Sequence, residues 1–439
     1  MKMASLLLSN KIDGFKQYIK KARDMGMLEY VISDIFQKFM VFVGGFIIVR
    51  LLTKEAYGSY TYLTNLLSVF TIFGDLGISS AVLQYASINH DNENKKMSFI
   101  RYANKMIFGV SFLSVFIVLI GSYVYRFKID GVQGLFRFMM ILPLFNNEVM
   151  FCQSLLRVEL RNKEFARINI LNTVLHYIAL IGLSYVWGLK GAIAAAYPQN
   201  IIILAVYYFT LKPILRIKGE ISLTKEEKRS FWKFALLMQV NQTSLALLNY
   251  LDIYCLGALV KQPEVIADYK VASTIPTALY FIPKSILFFL VPLFGRNRKD
   301  MGWVKKTFMR TLLCNALLCG AVSIVMAIIA RPLIELIYGT QYANATQCFL
   351  ILLIGFFAYG VIQIPASNVL SVFEKLKIVL IMSISGALLN IVLNVLLINL
   401  MGSVGAAIAT VASHVFIGGV LTAYMIYFLR KHKSVKMDG

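Results

Sequence analysis

The chain has 439 residues, of which 58% are hydrophobic and 15% charged, with a net charge of +22 and a mean hydropathy of +0.70. A soluble globular chain is usually about 45–50% apolar, and here the excess runs along the whole length, which excludes a soluble domain on a single anchor. In a soluble protein so basic a balance would point to nucleic acid. With long apolar runs it points instead to loops that collect Lys and Arg on one side of a membrane, so no nucleic-acid partner is expected.

Residues 1–29 form a basic N-terminal segment whose Leu6-Leu7-Leu8 run is too short for a signal peptide. A helix that crosses the bilayer needs about 20 mostly apolar residues, at about 1.5 Å of rise each. Twelve segments qualify, near 30–52, 59–88, 105–125, 133–157, 166–187, 191–211, 232–259, 267–293, 307–330, 346–372, 378–398 and 403–428. The expected fold is therefore an all-α polytopic membrane protein with two six-helix lobes, 30–211 and 232–428. The linker 212–231 reads LKPILRIKGEISLTKEEKRS, a hinge between the lobes, and 429–439 form a tail.

Basic residues fix the direction. The N-terminus, the even-numbered loops with their span edges and the C-terminus hold 33 Lys and Arg; the odd-numbered loops hold only Lys54, Arg126, Lys128, Lys190, Lys261 and Arg331. By the positive-inside rule the richer side is cytoplasmic, so both termini and the linker are expected there. The five cysteines, Cys152, Cys255, Cys314, Cys319 and Cys348, lie in or beside apolar segments without metal-ligand spacing and read as small buried residues.

An internal repeat is visible. WGLKGAIAAAYPQN around Gly188 answers MGSVGAAIATVASH around Gly402 at an offset of 214, which sets His176 opposite Asn390. At an offset near 209, AYGSYTYLT answers IADYKVAST, with Tyr60 opposite Tyr269. Six spans per half return the chain to the same side, so the halves are parallel repeats, an arrangement common in secondary transporters.

Further segments carry a family resemblance: RLLTKEAYGSY over Arg50–Tyr60, Asp75-Leu76-Gly77, NYLDIYCLG over Asn249–Gly257 with Tyr269 and Ala272, PLFGR ending at Arg296, and IELIYGTQY over Ile334–Tyr342. In this order over nearly the whole chain, they resemble the polysaccharide transporters of the multidrug/oligosaccharidyl-lipid/polysaccharide (MOP) exporter superfamily, the O-antigen and capsule flippases. The resemblance implies a non-enzymatic flippase for a polyprenyl-diphosphate-linked oligosaccharide in a bacterial inner membrane. It also implies two lobes in a V around a cavity lined by spans one, two, seven and eight. It implies no cofactor; membrane lipid is a partner, and a coupling H+ or Na+ and contact with a polysaccharide polymerase and chain-length proteins are left open.

Charges at bilayer depth are costly and mark candidate sites. Asp34 and Lys38, spaced i,i+4, form either an intrahelical pair or part of the cavity lining. Asp75 and Lys284 are repeat-equivalent with opposite sign. With Lys38 they fall at one depth, about 4–6 Å from the midplane by helical rise. Lys38 and Lys284 are expected to receive the diphosphate, with Asp75 balancing them; a structural salt bridge between the lobes is the other reading. Asp252 is a candidate for gating or ion coupling, Glu148 for a proton or sodium site, and His176 for titration near neutrality or a hydrogen-bonded structural role. His414 lies on span twelve, and some of the tyrosines are expected to stack on sugar rings.

A cation-coupled drug exporter of the same superfamily shares this fold. Fourteen spans would be expected of a peptidoglycan-precursor flippase, and the loop NHDNENKKMSFIRY lacks the Gly- and Asp/Arg-rich pattern of major-facilitator transporters. A membrane polymerase or glycosyltransferase is disfavoured because no large outside loop or catalytic domain is legible. The chain has no Gly-x4-Gly-Lys-Ser/Thr phosphate loop.

Overall fold

The computed structural model describes residues 27–215 and 222–431. Most of the N-terminal segment, residues 216–221 of the linker and the tail from 432 lie outside the described residues. Among the described residues every element is helical and none is a strand. The first half comprises α1 (Met27–Leu51), α2 (Lys54–Phe70), α3 (Ile78–Ile88), α4 (Glu93–Val124), α5 (Val132–Phe138), α6 (Leu142–Val158), α7 (Asn162–Ala194) and α8 (Ala196–Leu215). The second comprises α9 (Lys225–Leu259), α10 (Pro263–Leu279), α11 (Phe281–Arg296), α12 (Met301–Ile328), α13 (Ala330–Tyr338), α14 (Ala345–Ala358), a π turn (Tyr359–Gln363), α15 (Ile364–Val372), α16 (Leu376–Met401) and α17 (Ser403–Lys431).

Nine helical stretches among the described residues are long and apolar enough to cross a membrane. The other three expected spans, 59–88, 191–211 and 232–259, fall on α2 with α3, on α8 and on α9. The expected span 59–88 is not one rod: residues 71–77 form a turn with Leu76 and Gly77 at positive φ. Apolar side chains at four-residue spacing stand exposed on several helices, such as Phe108, Phe112, Phe116 and Ile120 on α4 and Leu388, Val392, Leu396 and Leu400 on α16. Unbroken apolar faces of this kind need a non-aqueous neighbour; in a span that neighbour is lipid.

Helix starts follow local chemistry. Asn92 accepts the Lys95 N–H (3.0 Å) and Asp300 the Trp303 N–H (2.9 Å), which caps α4 and α12. Thr224 and Glu227 exchange reciprocal bonds of 3.2 and 2.8 Å at the start of α9, a capping box. Lys95 pairs with the Glu227 carboxylate and, ahead of the Thr224 amide, holds it below the ordinary carboxylate range.

The chain partitions into two compact units, and their boundaries differ from the expected lobes. One holds residues 1–52, 70–125 and 133–242; the other holds 53–69, 126–132 and 243–439. The expected linker is also shorter than 212–231, because α8 continues to Leu215 and α9 begins at Lys225. In the first unit, Phe231 and Ala235 at the front of α9 are buried with Ile78, Val82, Phe99, Ile107 and Phe151. A Cβ at Gly77 (φ 76°) would meet the Ala235 carbonyl, so that turn needs glycine. In the second unit, α2 lies against the start of α10, where a Cβ at Gly58 would meet the Pro263 carbonyl. Phe294, Phe308, Val369, Ile417 and Met425 form another buried cluster there. Both boundary shifts arise because these helix ends find their close packing in the opposite half of the chain.

The repeat is physical. Shifting α2 by 209 residues reproduces both ends of α10. Gly188 (φ 56°, ψ −132°) and Gly402 (φ 57°, ψ −129°) share one backbone conformation, reserved in practice for glycine. One turn on, a Cβ at Gly191 would strike the Leu183 carbonyl and one at Gly405 the Leu397 carbonyl, again 214 residues apart. Gly405→Ala should therefore cost about 1–3 kcal/mol by forcing backbone apart and lower the detergent thermal midpoint. Gly419→Ala, which enters open space, should leave that midpoint within error.

Candidate functional site: a buried carboxylate and a lysine-aromatic shelf

The second unit contains a polar cluster built on α9, α10, α16 and α17. Asp252 Oδ1 accepts hydrogen bonds from Asn390 Nδ2 (3.1 Å) and Asn394 Nδ2 (2.8 Å). Its Oδ2 accepts from the Tyr269 and Thr410 hydroxyls, both at 2.5 Å. Asn390 and Asn394 lie one helical turn apart on one face of α16. Asp252, Tyr269, Asn390 and Asn394 are all buried. Four donors satisfy both carboxylate oxygens, as burial of so polar a group demands. No basic side chain pairs with Asp252 among the described residues. The Asn394 carbonyl oxygen is buried and accepts no hydrogen bond, so an unsatisfied acceptor stands in the same cluster as the carboxylate.

Lys284 marks a second feature of this unit. It is exposed on α11, with Nζ 6.0 Å from the Tyr280 ring centroid and 5.9 Å from that of Tyr359. The two rings are 4.4 Å apart, and the His414 ring is 4.9 Å from Tyr359 and 6.3 Å from Tyr280. His414 Nδ1 bonds Gln363 Oε1 at 2.9 Å. Thr410, which bonds Asp252, and His414 lie one helical turn apart on α17, so the two features adjoin.

The first unit holds the remaining expected residues in separate places. Lys38 and Asp34 form an intrahelical pair of 2.6 Å on α1, largely exposed. Asp75, expected to balance the lysines, has a structural task at a break. Its oxygens accept the Gly77 and Ser79 amides, both at 2.9 Å, and so cap α3 after the break in span two. The same break is served by Asn147, which donates to the Gly74 carbonyl (3.2 Å), and by Gln239, which donates to that of Ile72 (2.8 Å). Glu148 is half-buried on α6, one turn before Cys152. His176 Nδ1 lies 3.4 Å from Gln199 Oε1, and Gln199 donates to Asn172 (2.6 Å), which makes a structural network.

Asn394 and Thr410 were not singled out from sequence, although two asparagines at i,i+4 inside the apolar run LLNIVLNVLLIN are a readable signal. Ion pairs centred on two lysines are likewise not legible in the sequence. Lys96 contacts Glu93 and Glu159, each at 2.9 Å. Lys54 pairs with Asp268 at 2.7 Å, donates to the Gln341 carbonyl at 2.9 Å and lies 5.4 Å from the Tyr342 ring centroid.

Breaks in spans served by side-chain donors, a carboxylate buried at the meeting of four helices, and a duplicated architecture define a multi-pass membrane protein of the MOP-superfamily transporter fold. Structural comparison agrees. An inward-facing multidrug resistance MATE family transporter of the MOP superfamily superposes with a TM-score of 0.74 at 12% identity, over 91% of this chain and 96% of that one. An inward closed lipid II flippase MurJ superposes with a TM-score of 0.69 at 15% identity, over 91% and 87%. The chain belongs to the polysaccharide biosynthesis protein family, whose model matches residues 47–347. It is 26% identical over 373 residues to the Shigella flexneri protein named "Putative O-antigen transporter", covering 82% of this chain and 87% of the relative.

The Lys54–Asp268 pair ties α2 to α10 in the second unit. Asp268→Asn should destabilise the protein by about 1–3 kcal/mol, since it leaves a half-paired ammonium in a nearly dry place. Thermal unfolding in detergent should show this loss, and Lys54→Met combined with Asp268→Leu should recover most of it.

Proposed function

We propose that this protein flips a polyprenyl-diphosphate-linked oligosaccharide, the repeat unit of an O-antigen, capsule or exopolysaccharide, across a bacterial inner membrane. Both termini face the cytoplasm, and the two halves of the chain, joined by the link between α8 and α9, move in alternating access. Family membership and the likeness to an O-antigen transporter support this reading. The observation that carries the substrate assignment is Lys284, an exposed lysine inside an apolar span beside polar-tipped aromatic rings. A cation held at bilayer depth is compensated when it meets an anion, and an ammonium grips phosphate oxygens through charge-assisted hydrogen bonds. Lys38, released from Asp34, is a second ligand for the diphosphate. Asp75 holds span two in the broken shape that this chemistry uses.

Lys284→Gln keeps a polar side chain, one atom shorter, but removes its charge. It should cut transport about ten- to a hundredfold, the equivalent of a charge-assisted contact of about 1.5–3 kcal/mol. In a strain lacking the wild-type gene, the lipid-linked oligosaccharide should then accumulate on the cytoplasmic face at normal protein level. Unimpaired transport by this variant would overturn the assignment.

Transport is coupled to a cation at Asp252. The carboxylate, the Thr410 hydroxyl and the unsatisfied Asn394 carbonyl oxygen offer an all-oxygen set that suits Na+ or a proton. A ligand that binds only the folded state raises its thermal midpoint. Sodium chloride should therefore raise the midpoint of the wild type above that in choline chloride, and Asp252→Asn or Asn394→Leu should abolish the difference. If neither salt nor pH separates wild type from Asp252→Asn, coupling at this residue is wrong. The MATE-like superposition favours a second reading as a cation-coupled drug exporter of the same superfamily. That reading predicts ethidium efflux and no accumulated lipid-linked sugar.

A further inference from the structure

Residues at and near the start of α11, in the π turn and on α17 converge on a group whose chemistry charge recognition alone does not use. Tyr280, Tyr359 and His414 present three rings within 4.4–6.3 Å of one another, each half-buried. Among the described residues, neither tyrosine hydroxyl has a protein hydrogen-bond partner. The imidazole is bonded by Gln363, and the Lys284 ammonium lies over both tyrosine rings, 6.0 and 5.9 Å from their centroids.

The backbone is bent to make this arrangement. Residues Tyr359–Gln363 form a π turn within the apolar stretch 345–372. The extra residue in that turn lets both of its ends reach His414, Tyr359 by ring contact and Gln363 by hydrogen bond. A π turn is costly unless its carbonyls find partners, and such turns recur at functional sites. Here Asn315 donates to the Gly360 carbonyl (2.9 Å) and Thr422 to that of Ile362 (2.8 Å). Space at 360 favours glycine, because a Cβ there would lie 2.9 Å from Cys319 Sγ and 3.2 Å from Pro283. Two side chains from neighbouring helices thus hold a local geometry that presents Tyr359 and Gln363 together.

Resting on the reading of Lys284 as the diphosphate ligand, we propose that Tyr280, Tyr359 and His414 form a stacking subsite for the sugar attached directly to that diphosphate. A pyranose offers an apolar C–H face and a ring of hydroxyls. The shelf offers ring faces to the first and two hydroxyls and an imidazole to the second. Lys284 Nζ, 5.9–6.0 Å from the two tyrosine ring centroids, is within reach of a phosphate joined to such a sugar through the anomeric oxygen. This subsite reads the first sugar, while Lys284 holds what every polyprenyl-diphosphate substrate shares. It divides recognition into a specificity part and a common anionic part.

The test uses the purified full chain in nanodiscs and two probe sets: polyprenyl diphosphate without sugar, and the same lipid carrying glucose, galactose or N-acetylglucosamine. In the wild type at least one sugar should tighten binding. Tyr359→Leu and Tyr280→Leu should weaken that sugar-bearing probe about fivefold and leave the bare lipid diphosphate unchanged. Tyr359→Phe, which keeps the ring face, should retain most of the gain. The proposal is overturned if no sugar adds affinity. It is equally overturned if Tyr359→Leu weakens both probe sets alike, which is the mark of a purely structural role. Lys284→Gln should weaken both sets. If it weakens neither, the diphosphate reading fails, and the sugar dependence of the tyrosine variants remains readable on its own.

Discussion

In hydrocarbon no water is available to a backbone N–H or C=O, so wherever a spanning helix departs from its ladder the protein must supply a partner. Much of the polar chemistry of this chain answers that demand. The turn over 71–77 is held by Asp75 on the Gly77 and Ser79 amides and by Asn147 and Gln239 on carbonyls. The π turn is held by Asn315 and Thr422. Side chains that look functional because they are polar and deep are in several cases there to let a helix bend. What remains once those are accounted for is a shorter set: Asp252 with its donors, and Lys284 with its rings.

This distinction explains which parts of the molecule were legible beforehand. Nine of the twelve span positions came through among the described residues because length and hydropathy are one-dimensional properties, and the 214-residue echo around Gly188 and Gly402 because it rests on a backbone shape that only glycine adopts readily. The capping task of Asp75 is not legible in the sequence, because depth can be counted along a helix only while the helix continues, and Asp75 sits in a break. Asp252 was found as a buried charge, but its partners come from three other helices, and the rotation of those helices about their axes is not written in the spacing. The ring cluster was hidden for a related reason: its members lie from Tyr280 to His414 in sequence, among many other aromatic residues.

Within the second unit, opposite demands are met close together. The carboxylate cluster offers negative charge with an unsatisfied carbonyl oxygen, and the shelf offers positive charge with ring faces. Thr410 of the cluster and His414 of the shelf lie one helical turn apart on α17, so one helix joins the two sites.

The mismatch between duplicated halves and compact units bears on how such a chain can be inherited and cut. α2 and its copy α10 lie in the same unit, and the front of α9 belongs to the core of the other. A gene severed near residues 216–221 would yield two polypeptides, each missing a piece of its own interior and carrying one that belongs elsewhere. Neither fragment would mature alone, whereas the pair made in one cell could complement each other. An ancestral single-half protein would have faced the same shortage, and an exchange of helices between two identical copies would have met it.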